Sequence, residues 1–223
     1  METQRRNETP IPWQWINCIE SIVMKDPKLD IVKQTATEVL PWFYLSNEDT
    51  ACNIPTLNSL GITHVLSLNG APAYKLDWLK KEYQHAGIVN HRIHAEDEEG
   101  YDLIGRHWED CLNFFMSVVQ PHQDPNTNNK VLVHCVAGIN RSGLVACAAY
   151  MTFEHDVNVL DAVRYCAEKR GHCFLWNKSF QKQLCCLAAQ KDLLGDAPVG
   201  FSDEQVGTVA TFLPPIRALD RLI

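Results

Sequence analysis

The chain has 223 residues, a formal net charge of −7 at neutral pH and an apolar fraction of 46%. This length suits one sizeable α/β domain with extensions and is too short for two comfortable domains. The acidic balance argues against a nucleic-acid partner, which Lys and Arg would have to hold. Nine Cys without paired spacing, and no apolar signal or membrane segment, favour a reducing cytoplasm or nucleus and no membrane association.

The first predicted element is a short amphipathic helix near the N-terminus. From Trp13 onward, Ile16, Ile19 and Ile22 recur at helical spacing after a polar, Pro-containing start. We expect this helix to pack on the domain. The alternative is a helix that docks a partner, and the exposure of Trp13 and Trp15 distinguishes the two arrangements.

The middle of the chain alternates between strand-like and helix-like segments. Short β-branched or aromatic runs are typical of strands, and longer runs with apolar residues on one side are typical of helices. Gly61 and Gly87 are predicted to end two of the helices. The polar residues 121–129 are predicted to be a surface insertion. In chain order we predict a strand or bent strand pair at 39–45, a helix that is capped by Ser46-Asn47 and runs through 53–60, a strand at 62–68, a helix at 74–85, a strand at 88–93 and a helix at 103–120.

Residues 131–143, Val-Leu-Val-His-Cys-Val-Ala-Gly-Ile-Asn-Arg-Ser-Gly, predict a strand, a tight loop and a helix N-terminus. Such a loop gathers backbone N–H groups around one small volume, which is an anion cradle. Gly138 allows a positive φ, and the planar guanidinium of Arg141 can bind two phosphate oxygens at once. Cys135 lies at the floor, where the amides, the helix dipole and the guanidinium favour its thiolate. A nucleophile and an anion clamp in one loop predict phosphoryl transfer through a phosphocysteine.

The C-terminal part is predicted to be helical and then to end in a tail. A buried helix is expected at 144–152, and Asn158 is expected to cap a second one that runs to Lys169 and breaks at Arg170–Gly171. A last helix begins at Asn177. From about residue 194 the chain is rich in Pro and Gly yet carries several apolar residues, so it is predicted either to fold back over the domain or to bind a neighbour.

The motif His134-Cys135-x-x-Gly138-x-x-Arg141-Ser142 resembles the signature of the cysteine-based protein tyrosine phosphatase superfamily. The Ala-Gly and Ser-Gly pairs at 137–138 and 142–143 resemble its dual-specificity branch, and residues 44–66 are similar to the opening of dual-specificity phosphatase domains. The resemblance implies that Cys135 attacks phosphorus, that Arg141 binds the phosphate and the transition state, and that Ser142 helps the thiolate leave. His134 is expected to order the loop. The residues implied to surround the phosphate are Val136, Ala137, Gly138, Ile139, Asn140 and Arg141.

The resemblance also implies a general acid and a supporting amide. The family places an Asp four residues beyond the last Ile of the preceding strand, which is Asp97 in the carboxylate-rich loop 94–100. Asp97 would protonate the leaving oxygen and then activate water, with Glu96 and Glu98 as the alternatives. Residues 177–184 resemble a family segment in which the Asn, here Asn177, steadies the phosphate loop. Trp176 stands where Pro is usual.

We therefore predict an α/β fold with a central mixed sheet of four or five strands, helices on both faces, and the architecture of protein tyrosine phosphatases. The domain is expected at 35–190, between an N-terminal extension at 1–34 and a tail at 191–223. The predicted function is hydrolysis of phosphotyrosine and phosphoserine or phosphothreonine in phosphoprotein substrates, without metal or cofactor. No stretch resembles the loop that deepens the pocket of tyrosine-specific enzymes.

Three alternatives remain open at this point. Asn140 directly before Arg141 is shared with RNA 5′-triphosphatases of the superfamily. A phosphoinositide phosphatase is the second alternative, although such enzymes typically carry Lys in this loop and the corresponding residues here are neutral. The third is a phosphoprotein-binding module without turnover, although relatives of that kind usually lack the Cys or the Arg.

Overall fold

The computed structural model describes residues 10–23, 36–69, 73–119, 128–171 and 174–205. Its centre is a five-stranded sheet with the strand order β1-β2-β5-β3-β4. β1 pairs with β2 in the antiparallel sense, and the other neighbours are parallel, which confirms the predicted mixed sheet. The strands are β1 (Thr37–Leu40), β2 (Phe43–Ser46), β3 (His64–Ser67), β4 (Val89–Arg92) and β5 (Val131–His134).

Helices cover both faces of this sheet. They are α1 (Trp13–Val23), α2 (Glu48–Cys52), α3 (Ile54–Leu60), α4 (Ala73–His85), α5 (Leu103–Val119), α6 (Arg141–Phe153), α7 (Val159–Arg170) and α8 (Lys178–Gln190). On β5, Val131 and Val133 contribute to a core shared with α1 and α5 to α8, while Leu132 contributes to a second core shared with α2, α3 and α4. Alternate side chains of a strand point to opposite faces, so a strand covered on both sides has a continuous apolar sequence.

Three predicted helices differ from those observed. The single helix expected from the Ser46-Asn47 cap through 53–60 is divided into α2 and α3, because the Asn53 side chain accepts a hydrogen bond from the N–H of Thr56 and starts a new helix. α6 begins at Arg141, three residues earlier than predicted. α7 continues through Arg170, where the sequence predicts the helix to break. The predicted insertion at 121–129 falls mostly outside the described residues.

The N-terminal helix packs on the domain, as predicted. Trp13 and Trp15 are half-buried against the main core, and the indole Nε1 of Trp15 donates to the carbonyl of Leu194 at 2.8 Å. Glu20 pairs with Lys178, at the start of α8, at 2.8 Å. The described part of the tail therefore folds back across α1. Along the described ranges, no helix has the length and apolar character needed to cross a bilayer.

Candidate active site

The loop between β5 and α6 lies at the carboxyl edge of the parallel strands, where ligands bind in open α/β sheets. Gly138 has φ +69° in this loop, and a Cβ atom there would lie 2.5 Å from the carbonyl oxygen of Ser46 at the end of β2. The side chain of Arg170 crowds the same position. Only glycine satisfies both the backbone angle and the close approach of β2, so the sequence forces the loop to curve tightly here.

Cys135 and Ser142 face each other at the floor of the loop. Cys135 is only 1% exposed, and its Sγ lies 3.2 Å from the Oγ of Ser142 in the first turn of α6. A hydroxyl can donate to a thiolate, and the N-terminus of a helix favours negative charge. The Ser142 hydroxyl and the start of α6 can therefore stabilise negative charge on the sulfur of Cys135.

One nitrogen of Arg141 holds the side chain in place, and a second nitrogen is available to the site. Its Nη1 donates to the carbonyls of Leu68 at 3.1 Å and Ala95 at 3.2 Å, which follow β3 and β4. Its Nε is buried and has no hydrogen-bond partner among the described residues; it lies 3.8 Å from Oδ2 of Asp97. Because buried N–H groups normally find acceptors, this edge of the guanidinium suits two oxygens of a bound phosphate.

Asp97 is the acidic side chain that the loop after β4 turns toward the site. Its Oδ1 accepts from Nδ2 of Asn177 at 3.1 Å, and its Oδ2 accepts from Nδ2 of Asn140 at 3.2 Å. Glu96 and Glu98 are exposed. The geometry thus favours Asp97 over its two neighbours as the general acid.

Other predicted site residues support the loop from several sides. His134 is buried, with its Nδ1 3.4 Å from the carbonyl oxygen of Cys135. The carbonyl of Val136 accepts from the N–H of Glu48 at 3.0 Å, which ties the loop to α2, while the Val136 side chain is 39% exposed at the rim. Asn177 also caps α8 by accepting from the N–H of Phe180. Ala137 and Ile139 are half-buried.

Two supporting residues were missed by the sequence reading. Arg170 is 3% exposed beneath the loop, and its Nε donates to the carbonyl of Gly138 at 3.1 Å. Burial lowers the pKa of Arg170, and the nearby Cys135 opposes that change. Gln183 on α8 donates to the carbonyl of Tyr101 at 2.7 Å, which fixes the far end of the acid loop. Both are contacts between distant segments and leave no local signal in the sequence.

Three other buried thiols differ chemically from a nucleophile. Burial raises the pKa of Cys111 to about 12, and it also raises the pKa of Cys147 and Cys185 well above the ordinary thiol value. These thiols are protonated at neutral pH and therefore unreactive. Among the residues that the structure describes, no group of three or more His, Cys, Asp or Glu could hold a metal ion.

The sequence of this chain is similar to a known protein family and to several known proteins. Residues 43–190 match the family described as "Dual specificity phosphatase, catalytic domain". The chain is 30% identical to human dual specificity protein phosphatase 26 over 153 residues, which cover 68% of this chain and 66% of that one. It is 29% identical to mouse dual specificity protein phosphatase 2, covering 74% of this chain and 47% of the relative. The chain therefore spans slightly less than two thirds of the first relatives and about half of the second.

Two solved structures carry the same fold. The human tyrosine phosphatase-like serine/threonine/tyrosine-interacting protein aligns with a TM-score of 0.57 and 26% identity, over 71% of this chain and 99% of that one. DUSP15 aligns with a TM-score of 0.56 and 26% identity, over 72% of this chain and 92% of that one.

Proposed function

The chain belongs to the dual-specificity phosphatase family, and on that premise we propose that it hydrolyses phosphotyrosine and phosphoserine or phosphothreonine in proteins. The single observation that carries this proposal is the position of Cys135. Its sulfur lies 3.2 Å from the Ser142 hydroxyl, at the floor of a loop beside an Arg141 Nε that lacks a partner among the described residues. Nucleophile, anion clamp and acid are then within one site.

In the first step the Cys135 thiolate attacks phosphorus in line with the leaving oxygen. A sulfur–phosphorus bond forms, the phosphorus–oxygen bond breaks, and the proton of Asp97 passes to the departing oxygen. The Nε edge of Arg141 and the loop amides hold the phosphate oxygens as charge redistributes in the transition state.

In the second step water cleaves the phosphocysteine. Asp97, now a carboxylate, takes a proton from the water, and the attacking oxygen bonds to phosphorus as sulfur leaves. Ser142 donates a hydrogen bond to the departing sulfur, so that the thiolate is stabilised as its charge returns. The step releases inorganic phosphate and restores the enzyme.

A phosphoprotein substrate is supported by the rim of the site. The loop residues Val136, which is exposed at the rim, Ala137 and Ile139 are all neutral, whereas Lys at such loop positions suits a polyanionic lipid headgroup. The absence of a sequence resembling the tyrosine-recognition loop supports a shallow pocket that admits phosphothreonine as well as phosphotyrosine.

We also propose that the protein works in the cytoplasm or nucleus, in signalling that phosphorylation controls. Nine Cys without paired spacing support this location, because disulfides are rare in reducing compartments. Imaging of the tagged full chain tests it. Fluorescence throughout the cytoplasm or nucleus agrees with the proposal, and secretion of the chain into the medium contradicts it.

The function is tested with matched phosphotyrosine and phosphothreonine peptides, assayed by phosphate release. We expect hydrolysis of both peptides by the unmodified chain and none by Cys135→Ser, which should still bind them. Cys186→Ser on α8 is the matched control and should hydrolyse both. Binding without hydrolysis by the unmodified chain would favour the non-catalytic module. Phosphate release only from a 5′-triphosphorylated RNA would favour the RNA-end alternative.

A further inference from the structure

Asn140 occupies a helix N-cap without capping the helix. It directly precedes α6, where the side chain of an Asn usually accepts a hydrogen bond from the second or third N–H of the helix. Its side chain makes no such bond, and its backbone is helical, with φ −92° and ψ −70°. The residue is 2% exposed. A buried amide that does not cap must have its hydrogen-bond partners elsewhere.

The partners of Asn140 join three segments of the site. Its Oδ1 accepts from the backbone N–H of Trp176 at 2.7 Å and from that of Asn177 at 3.1 Å. Its Nδ2 donates to Oδ2 of Asp97 at 3.2 Å. The orientation of the amide is determined by the two backbone N–H groups, because they can only donate and the atom that accepts from them must be the amide oxygen. One planar group thus links the phosphate loop, the acid loop and the segment before α8.

The N–H of Trp176 makes this link particular to the chain. The family segment that this stretch resembles has Pro at the position of Trp176, and Pro has no N–H to donate. The shorter of the two bonds to Asn140 Oδ1 therefore depends on the residue that departs from the family pattern.

We propose that Asn140 is a positioning residue, which holds the carboxyl group of Asp97 in line with the oxygen of the leaving group. This inference rests on the proposed function and deepens it. Each carboxylate oxygen has two lone pairs, and the amides of Asn140 and Asn177 occupy one on each oxygen. A lone pair therefore remains to carry the proton that is delivered to the substrate, while the two amides restrict the rotation of the group.

The test compares aryl phosphates that differ in their need for the acid. Phenyl phosphate has a poor leaving group that requires a proton, whereas a dinitrophenyl phosphate has a good one that departs without it. Asn140→Asp keeps an acceptor for the two backbone N–H groups and replaces the donor to Asp97 with a second anion. We expect kcat/KM for phenyl phosphate to fall about 10- to 100-fold, and that for the dinitrophenyl ester by less than about threefold.

Asn158→Asp is the matched control, because Asn158 also donates to a carboxylate, that of Asp161 at 2.6 Å. Asn158 caps the start of α7, and only the other end of that helix, at Arg170, lies beneath the phosphate loop. The control therefore introduces the same repulsion between two carboxylates, but a whole helix length away from the site. Asn158→Asp should leave the ratio of kcat/KM between the two substrates unchanged. In an Asp97→Asn background, Asn140→Asp should lower kcat/KM for phenyl phosphate only slightly further. The acid on which Asn140 acts is already absent there, and the effects of coupled residues do not add.

Trp176→Pro provides a second route to the same contact. It removes the N–H that Asn140 accepts from, and Trp176→Ala accounts for the loss of the indole. We expect the proline variant to lower kcat/KM for phenyl phosphate more than the alanine variant does. The two variants should differ little in kcat/KM for the dinitrophenyl ester. Equal losses on both esters for Asn140→Asp would overturn the positioning role while leaving the phosphatase intact. No hydrolysis by the unmodified chain would instead overturn the proposed function itself.

Discussion

The hydroxyl Oγ of Ser142 lies 3.2 Å from the sulfur of Cys135, and both residues are almost completely buried. The contact places a hydrogen-bond donor where the sulfur becomes negatively charged when the phosphocysteine is hydrolysed. Since the attacking thiolate is formed before the substrate reacts, the hydroxyl is expected to matter more for the departure of the sulfur than for its attack.

Ser142→Ala should therefore slow the second step selectively. We expect kcat for an aryl phosphate to fall about 10- to 100-fold, with a stoichiometric burst of phenol before the slow phase. Rapid mixing with an absorbance readout measures both phases. Ser179→Ala, at the start of α8, is a control for the loss of a serine hydroxyl. A fall in kcat without a burst would mean that the hydroxyl acts on the first step.

Gly138→Ala should damage the loop far more than the same change at another glycine. Gly138 and Gly87 have nearly equal φ values, +69° and +70°, but a Cβ at Gly87 meets no atom within 4 Å. Gly87→Ala isolates the cost of the backbone angle, about 1–3 kcal/mol, and should retain activity. Gly138→Ala adds the clash with the Ser46 carbonyl and should cost more stability and most of the activity. Urea unfolding and aryl phosphate hydrolysis measure the two effects. Equal losses of stability and activity in the two variants would contradict the predicted clash at residue 138.

Alkylation by iodoacetate at neutral pH should label Cys135 in preference to Cys111. The pKa of Cys111 is raised to about 12 by burial, so this thiol is protonated below that pH and reacts only as the pH approaches it. Peptide mapping after brief labelling measures the site. Phosphate should protect Cys135 by occupying the loop. Rapid labelling of Cys111 at pH 7 would contradict the burial argument.

Arg170→Met should destabilise the phosphate loop. The guanidinium is buried under the loop, and its Nε donates to the Gly138 carbonyl at 3.1 Å. Loss of this donor should lower the free energy of unfolding by about 1–3 kcal/mol and reduce aryl phosphate hydrolysis. Arg164→Met, on the exposed side of the same helix, should change neither. Urea unfolding and phosphate release measure the two effects, and equal behaviour of the two variants would contradict the supporting role of Arg170.

Ile19→Ala should show that the N-terminal helix belongs to the fold. Ile19 is fully buried against α7 and α8, so its truncation should lower the free energy of unfolding by about 2–5 kcal/mol. Ile22 on the same helix is only partly buried, and Ile22→Ala should cost less. Urea unfolding compares the two, and a negligible loss for Ile19→Ala would mean that α1 is not packed in solution.

The sequence allowed the sheet and the core of the site to be predicted, because both leave local signals. Apolar runs mark the strands, and the spacing of Cys135, Arg141 and Ser142 marks the loop. The start of α3 also carries a local signal, since an Asn cap followed by Pro, here Asn53 and Pro55, is typical of a helix start.

The supporting contacts could not be predicted in this way. Arg170 is separated by 32 residues from the Gly138 carbonyl that it binds. A charged residue in the last helical turn before a glycine is typical of an ordinary helix end. The side chain of Asn140 likewise occupies a usual cap position, and only the folded structure shows that it turns to Asp97 and Trp176 instead. Such contacts depend on how distant segments meet rather than on local pattern.

The central claim is that Cys135 becomes phosphorylated during turnover. The most direct measurement mixes the unmodified chain with an excess of aryl phosphate, quenches the reaction within the first turnover, and maps the peptides by mass spectrometry. Our account predicts one phosphoryl group on the peptide that contains Cys135, and none in Cys135→Ser. Turnover without any phosphorylated Cys135 peptide, or with activity retained in Cys135→Ser, would contradict it.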